Sequence, residues 1–299
     1  MEKFQITIRC GCVKKGYCWK VDNARYNVVI FEGMEEHVSR YDEMARYLNK
    51  NGINVYGIDT FGQGENVNED LSNIGVWPTD GFLKQVDHYD QLIAQLEGTK
   101  LPTYVFAHSM GSYMGQAFIE QYPDRVKKIV LCGSGAKNGA VGVGYALAKL
   151  ICTKKKENKK AKLLNNLMFG GFNKRIQNPE TPFDWLSVNK KNVTDYIADP
   201  LCGFGPRNKF CLEFLKGMKT LYTKENLNKI NKNISIFLIT GEEDPVSTYS
   251  KATYMLEKQY KGLGINDVSF KVYKGLRHEI HNEDDRELVF KDIVDFFNK

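Results

Sequence analysis

The sequence predicts an α/β fold: a mostly parallel central sheet flanked by helices, with a helical segment inserted between the two parts of the sheet. Three observations predict it. Short β-branched or apolar runs alternate with helical patterns over residues 1–133, the rhythm of parallel strands joined by helical crossovers. The rhythm breaks over about 134–230, where the composition turns helical, basic and Asn-rich, with Gly-rich patches at 139–144 and 170–171. It resumes over about 231–299. A single domain is expected over 1–299, with a core of about 1–133 and 231–299 and the insertion at about 134–230.

The elements follow in order. Residues 4–8 alternate as a strand, 17–21 form a second strand after a Lys14-Lys15-Gly16 turn, and 27–31 form a short apolar third. Tyr41, Met44, Ala45, Tyr47 and Leu48 mark a helix over about 38–49, and Asn51-Gly52 supply residues that tolerate a left-handed C-cap. A buried strand over 53–58 ends in Asp59, and a helix is expected over about 81–96. The β-rich run 103–106 stops at Ala107-His108-Ser109-Met110-Gly111; a helix then runs to about Tyr122-Pro123, and 128–132 is a strand. After the insertion come a strand at 234–239, a helix at about 248–260, a strand at 268–273 and a helix at about 286–297.

Bulk properties narrow the function. Hydrophobic residues make up 42% of the chain, enough for a full core. No apolar run reaches the ~18 residues of a membrane span. Residues 1–9 alternate and lack the apolar stretch of a signal peptide, so a soluble cytoplasmic protein is expected. The seven cysteines are scattered, as reduced structural thiols would be. Cys10, Cys12 and Cys18 cluster, but no His or second Cys pair completes a zinc pattern, so no metal is expected. A net charge of +6 is too mild to suggest nucleic-acid binding. Much of it sits in Lys154, Lys155, Lys156, Lys159, Lys160 and Lys162. That run reads as a solvated face, or as an attraction to anionic lipid worth about 1 kcal/mol per Lys, hence a transient membrane-surface contact.

The chemistry centres on Ala107-His108-Ser109-Met110-Gly111. A Ser on a sharp strand-to-helix turn is held out above the sheet edge, and the turn needs small residues two before and two after it. A Ser that merely caps a helix shares part of this pattern. A serine hydroxyl needs a base, and the base an orienting acid, in the chain order Ser, acid, His. Asp244 follows the strand at 234–239, with Glu242 and Glu243 as rivals. His278 follows the strand at 268–273; His281 is the rival and lies further from the strand end. His88 falls in a helix and reads as a surface or packing residue, and His108 as structural. Oxyanion donors are expected from the backbone N–H of Met110, at the helix start, and of Met34, beyond the turn glycine Gly33.

Four motifs in this order resemble the monoacylglycerol lipase and lysophospholipase branch of the α/β-hydrolases. They are Glu32-Gly33-Met34-Glu35-Glu36-His37 with Arg40-Tyr41, close to H-G-x-x-E-H-x-x-R-Y; Asp59-Thr60-Phe61-Gly62-Gln63-Gly64, close to D-x-x-G-H-G; residues 107–111; and Asp244 with His278. The resemblance runs nearly the whole chain and selects Asp244 as the acid. It implies that 134–230 is a helical cap carrying an apolar acyl pocket. It also implies hydrolysis of fatty-acyl esters such as monoacylglycerols or lysophospholipids, without a cofactor. The aromatic cap residues Phe169, Phe172, Phe183, Trp185, Phe204, Phe210 and Phe214 then divide between pocket and cap core, and Trp77-Pro78 is placed at the entrance. Two positions depart from the pattern. Glu32 stands where the family has His and is expected to point away from the oxyanion, pair with a cation or be protonated; Gln63 also replaces His. Two rival readings remain: an amide or peptide hydrolase on the same triad, and a non-catalytic ligand-binding homologue, which Glu32 favours.

Overall fold

The computed structural model describes residues 1–299. Eight strands form one sheet: β1 (Glu2–Thr7), β2 (Val13–Trp19), β3 (Tyr26–Phe31), β4 (Ile53–Ile58), β5 (Thr103–His108), β6 (Lys128–Cys132), β7 (Ser235–Gly241) and β8 (Val268–Tyr273). Their spatial order is β1-β2-β4-β3-β5-β6-β7-β8. β2 pairs antiparallel with both β1 and β4, and all other neighbours are parallel. The core crossover helices are α1 (Asp42–Lys50), α2 (Gly81–Leu96) and α3 (Met110–Gln121).

Every residue of β3 and β4 is buried, which requires a covered sheet on both faces. The period of two divides β3 between two cores. Val29 and Phe31 pack with Tyr89 of α2 and Phe118 of α3. Val28 and Ile30 pack on the other side with Met44 and Leu48 of α1 and with the C-terminal helix.

Between β6 and β7 lie α4 (Ala140–Ile151), α5 (Lys162–Phe169), α6 (Lys190–Ala198), α7 (Asn208–Met218) and α8 (Lys224–Lys229). The chain closes with α9 (Lys251–Gly262) and α10 (Arg286–Asn298). α7 joins the inserted helices to the sheet layer. Its Phe210 ring lies 4.3 Å from Trp77, and a Cβ at Gly217 would meet Phe82 at 2.2 Å. No helix is long and apolar enough to cross a membrane. All seven cysteines are free.

Four local expectations are corrected. Lys14-Lys15-Gly16 is not a turn but part of β2; the turn lies at 8–12, where Ile8 N–H bonds Cys12 O and Gly11 has φ +79°. Sheet pairing overrides the local composition. The Lys14 ammonium sits 3.4 Å from the Phe61 ring centroid, and a Cβ at Gly16 would lie 2.1 Å from Gly57 O. The first helix opens as a 3-10 turn at Val38–Tyr41 before α1. α9 starts only at Lys251, because Thr248, Tyr249 and Ser250 are left-handed. Trp77 is buried in the core against Phe210 rather than exposed at an entrance.

Candidate active site

β5 ends at His108 and α3 begins at Met110. Ser109, between them, has φ 52° and ψ −120°, a strained backbone for any residue with a Cβ. The turn is held by Ser109 N–H to Cys132 O at 3.0 Å and by the Ser112 hydroxyl, which donates to Ser109 O at 2.6 Å. Missing side chains make it possible. A Cβ at Gly111 would lie 2.0 Å from Phe31 O and 2.5 Å from Glu32 O. One at Gly115 would lie 3.0 Å from the Ala107 methyl. The alanine that departs from the glycine pattern is thus accommodated by a glycine one helical turn later, a pairing the five-residue motif does not contain. Met110 is the first residue of α3, so its N–H has no partner inside the helix.

Strands β7 and β8 deliver the other two groups. Asp244 is buried and accepts from Thr240 Oγ1 at 2.9 Å and Val246 N–H at 2.8 Å. His278 Nδ1 lies 2.9 Å from its Oδ1. The rivals are placed elsewhere: Glu242 and Glu243 are exposed, and His281 stacks on Tyr41 at 4.9 Å with no hydrogen bond at either nitrogen. Burial alone would raise the Asp244 carboxyl, but the facing His278 and the donated hydrogen bonds bring it below the ordinary value. Burial alone would lower His278, but the Asp244 charge and hydrogen bond, with Glu279 and Glu36 behind, raise it. Space for the imidazole comes from Gly133 (φ +58°), where a Cβ would lie 2.9 Å from His278 Cε1.

His278 Nε2 is buried without a hydrogen-bond partner. His278 and Ser109 line one cavity, though no hydrogen bond joins them in this structure. Met34 lines the same cavity. Its loop is fixed by Gln63, whose Nε2 donates to Glu32 Oε1, Gly33 O and Glu36 O at 3.0–3.1 Å and whose Oε1 accepts from Glu35 N–H at 2.8 Å. Glu32 points away from the cavity. Its Oε1 also accepts from Thr60 N–H at 2.6 Å, and burial, reinforced by the Asp59 charge, raises its pKa well above the usual range. Of the three expected outcomes for Glu32, the geometry gives the first: it points away.

A second network lies behind the site, and its role was missed by the sequence reading. Glu36 Oε1 accepts from Gly33 N–H and the Tyr41 hydroxyl, both at 2.7 Å, and Glu36 Oε2 from Arg40 at 2.8 Å. Arg40 grips both oxygens of Glu279, at 2.7 and 2.6 Å. The available signal was the Glu36–Arg40–Tyr41 spacing within the first motif. His108 joins Glu36 at 3.2 Å, and His88 packs on Phe61 at 5.0 Å, both structural placements. Two groups have donor types suited to a metal, His108 with Cys132 and His281, and His37 with Asp199 and Cys202. The Cys10–Cys18 cluster is not among them.

Two cavities meet at Met34, Ser109 and Phe169. One, of about 270 Å³, is the more polar of the two and includes His278, Glu35 and Tyr196. The other, of about 540 Å³, is almost wholly apolar and runs under the inserted helices past Leu147, Met168, Phe172 and Phe214. Trp185 stands over His278 at 5.1 Å, and its carbonyl accepts the His278 N–H at 3.4 Å.

The serine aminopeptidase S33 family matches residues 22–285. A monoacylglycerol lipase of Mycolicibacterium smegmatis is 26% identical over 282 residues, covering 92% of this chain and 89% of the relative. The human monoglyceride lipase is 26% identical over 262 residues, covering 86% and 76%. A thermostable carboxyl esterase from Bacillus coagulans, solved with glycerol, superposes with a TM-score of 0.90 at 27% identity, covering 99% of this chain and 97% of that one. The chain therefore belongs to the serine aminopeptidase S33 family, on the α/β-hydrolase fold and similar to the monoacylglycerol lipase-like serine hydrolases.

Proposed function

We propose that this protein is a carboxylic ester hydrolase that cleaves fatty-acyl esters through an acyl-enzyme on Ser109. The observation that carries the reading is the clamped imidazole: Asp244 holds Nδ1 of His278, and Nε2 is left free in the wall of the cavity that Ser109 also lines. As Ser109 Oγ attacks the ester carbonyl, its proton passes to His278 Nε2. The N–H groups of Met34 and Met110 receive the oxyanion, and Asp244 stabilises the imidazolium. The C–O bond then breaks, and the alcohol leaves with the proton from His278. Water attacks the acyl-enzyme, giving one proton to His278; the acid departs as Ser109 Oγ recovers it.

The proton returned by His278 goes to the leaving group, so the leaving group belongs in the polar cavity that contains His278. The acyl chain then belongs in the apolar cavity, which His278 does not line. This division supports an ester substrate over a peptide. An aminopeptidase attacks the carbonyl of the residue bearing the free ammonium, which would place that charge in the apolar cavity. The names of the relatives, monoacylglycerol lipase and carboxyl esterase, agree with ester cleavage.

Residues 134–230 act in this reading as a cap over both cavities. Val143, Leu150, Leu163 and Leu167 are exposed on α4 and α5, beside the lysines at 154–162. That pairing of apolar and basic groups suits a cytoplasmic enzyme that touches an anionic lipid surface to take up substrate. The test of the function is direct. Ser109→Ala should abolish turnover of a short p-nitrophenyl ester and labelling by a fluorophosphonate while the fold is kept. A variant that retains most of the activity would sink the assignment.

A further inference from the structure

We propose that Glu35 is a specificity-determining residue that reads the leaving alcohol, selecting an uncharged, hydroxyl-bearing alcohol over one that carries a phosphate. The proposal rests on the reading above that the polar cavity receives the leaving group.

Glu35 is 7% exposed yet lines that cavity. Its backbone has φ +59°, a conformation that glycine adopts freely and a glutamate adopts only under strain. Such strain persists where the surroundings impose it, and it concentrates at functional sites. The surroundings here are definite. Glu35 N–H donates to Gln63 Oε1 at 2.8 Å, and Glu35 O accepts from Gly203 N–H at 3.1 Å. Its Oε2 accepts from Gly205 N–H at 2.9 Å. The carboxyl is therefore pinned by one oxygen, and Oε1 has no partner within the protein.

A hydroxyl group matches that free oxygen. Burial pushes the Glu35 carboxyl up to about 7, against smaller opposing effects of Gly205 N–H and Lys160. Near neutral pH the group exists both as a carboxylic acid, which donates, and as a carboxylate, which accepts. A hydroxyl satisfies either form. A phosphate is repelled by the carboxylate form, and the cavity wall already includes Glu36 and Glu279. Their nearest cation, Arg40, is engaged by both of them. Lys160 is exposed and donates to Phe204 O, and the other polar side chains of the wall include the neutral Asn165, Asn166 and Tyr196.

The experiment compares kcat/KM for monododecanoylglycerol, dodecanoyl lysophosphatidic acid and p-nitrophenyl dodecanoate, which share one acyl chain. It uses the wild type, Glu35→Gly and Glu35→Gln. The wild type should favour monododecanoylglycerol over the lysophosphatidic acid by roughly a hundredfold, as like-charge rejection implies. Glu35→Gly relaxes the backbone and removes the carboxyl. It should lower the ratio of glyceryl ester to p-nitrophenyl ester by about tenfold, the effect of one lost hydrogen bond. Glu35→Gln keeps both an acceptor for Gly205 and a group for the hydroxyl, and should retain most of that ratio. Equal losses on the glyceryl and p-nitrophenyl esters in both variants would make Glu35 a loop-positioning residue and overturn the proposal. A wild type that cleaves both glyceryl esters equally well would also overturn it. A wild type inert toward all three esters would instead bring down the underlying function, and the proposal with it.

Discussion

Gln63 Nε2 donates to Glu32 Oε1 at 3.0 Å, so the two positions at which this chain departs from the histidines of the resembling motifs are in contact with each other. The pair is buried, and it supports the loop that carries Met34. The acid at position 32 therefore acts as part of a scaffold, turned away from the cavity that Ser109 lines. It gives no support to a non-catalytic reading.

Gln63→Ala removes all four of these hydrogen bonds and strands Glu35 N–H and one bond to Glu32. A loss of about 2–3 kcal/mol in stability is expected. A fall in kcat larger than any rise in KM should accompany it if, as proposed, the loop positions the Met34 N–H for the transition state. Urea unfolding and steady-state kinetics on one ester check both parts.

Glu32→Gln should change stability with pH in a defined sense. The folded pKa of Glu32 is raised by burial and then by Asp59, so the folded protein holds a proton that the unfolded chain releases above the ordinary carboxyl value. The contribution of Glu32 is thus favourable below that value and is lost as pH rises toward the folded pKa. Glutamine does not titrate. The variant should gain melting temperature relative to wild type on moving from pH 5 to pH 8, by about 2–4 °C per kcal/mol. A constant difference between the two pH values would contradict a protonated Glu32.

In the proposed mechanism His278 must be neutral to accept the Ser109 proton, and its pKa is raised by Asp244 against the effect of burial. The acid limb of kcat/KM should therefore titrate above the ordinary histidine value of about 6.5. Asp244→Asn should lower kcat by about 10³–10⁴-fold and move that limb to lower pH, since both the charge and the tautomer constraint are lost. A pH–rate profile of each protein decides the matter.

Gly111→Ala would place a methyl 2.0 Å from Phe31 O and 2.5 Å from Glu32 O, both backbone atoms of the neighbouring strand and loop. The strand end must move, so a destabilisation of about 3 kcal/mol or more is expected, with loss of activity in whatever remains folded. Chemical denaturation measures the first, and fluorophosphonate labelling of the folded fraction the second.

Gly144 lines the apolar cavity, and a Cβ there meets only Leu215 side-chain atoms, at 3.5–3.6 Å. Gly144→Phe should intrude on the cavity, and its Cβ meets no backbone atom. The preference for a dodecanoyl over a butanoyl p-nitrophenyl ester should fall by at least tenfold, about 1.4 kcal/mol. An unchanged preference would place the acyl chain elsewhere.

By itself the sequence determined the order of strands and helices, because period-two and helical patterns depend only on which residues are apolar and how they are spaced. Helix Gly81–Leu96 and strands Lys128–Cys132 and Val268–Tyr273 fall where the pattern puts them. It also marked Ser109, Asp244 and His278 as neighbours of strand ends, on the chemistry a serine nucleophile demands. Only the tertiary structure decided which carboxylate meets His278, how the two cavities meet beside Ser109, and what Glu32 contacts. Those outcomes depend on contacts between segments far apart in the chain, such as Arg40 with Glu279 or Glu35 with Gly205, which no local pattern encodes. The same cause explains the misread Lys14-Lys15-Gly16. Its composition favours a turn, but the close approach of Gly57 across the sheet makes Gly16 a strand residue, and pairing outweighs local preference.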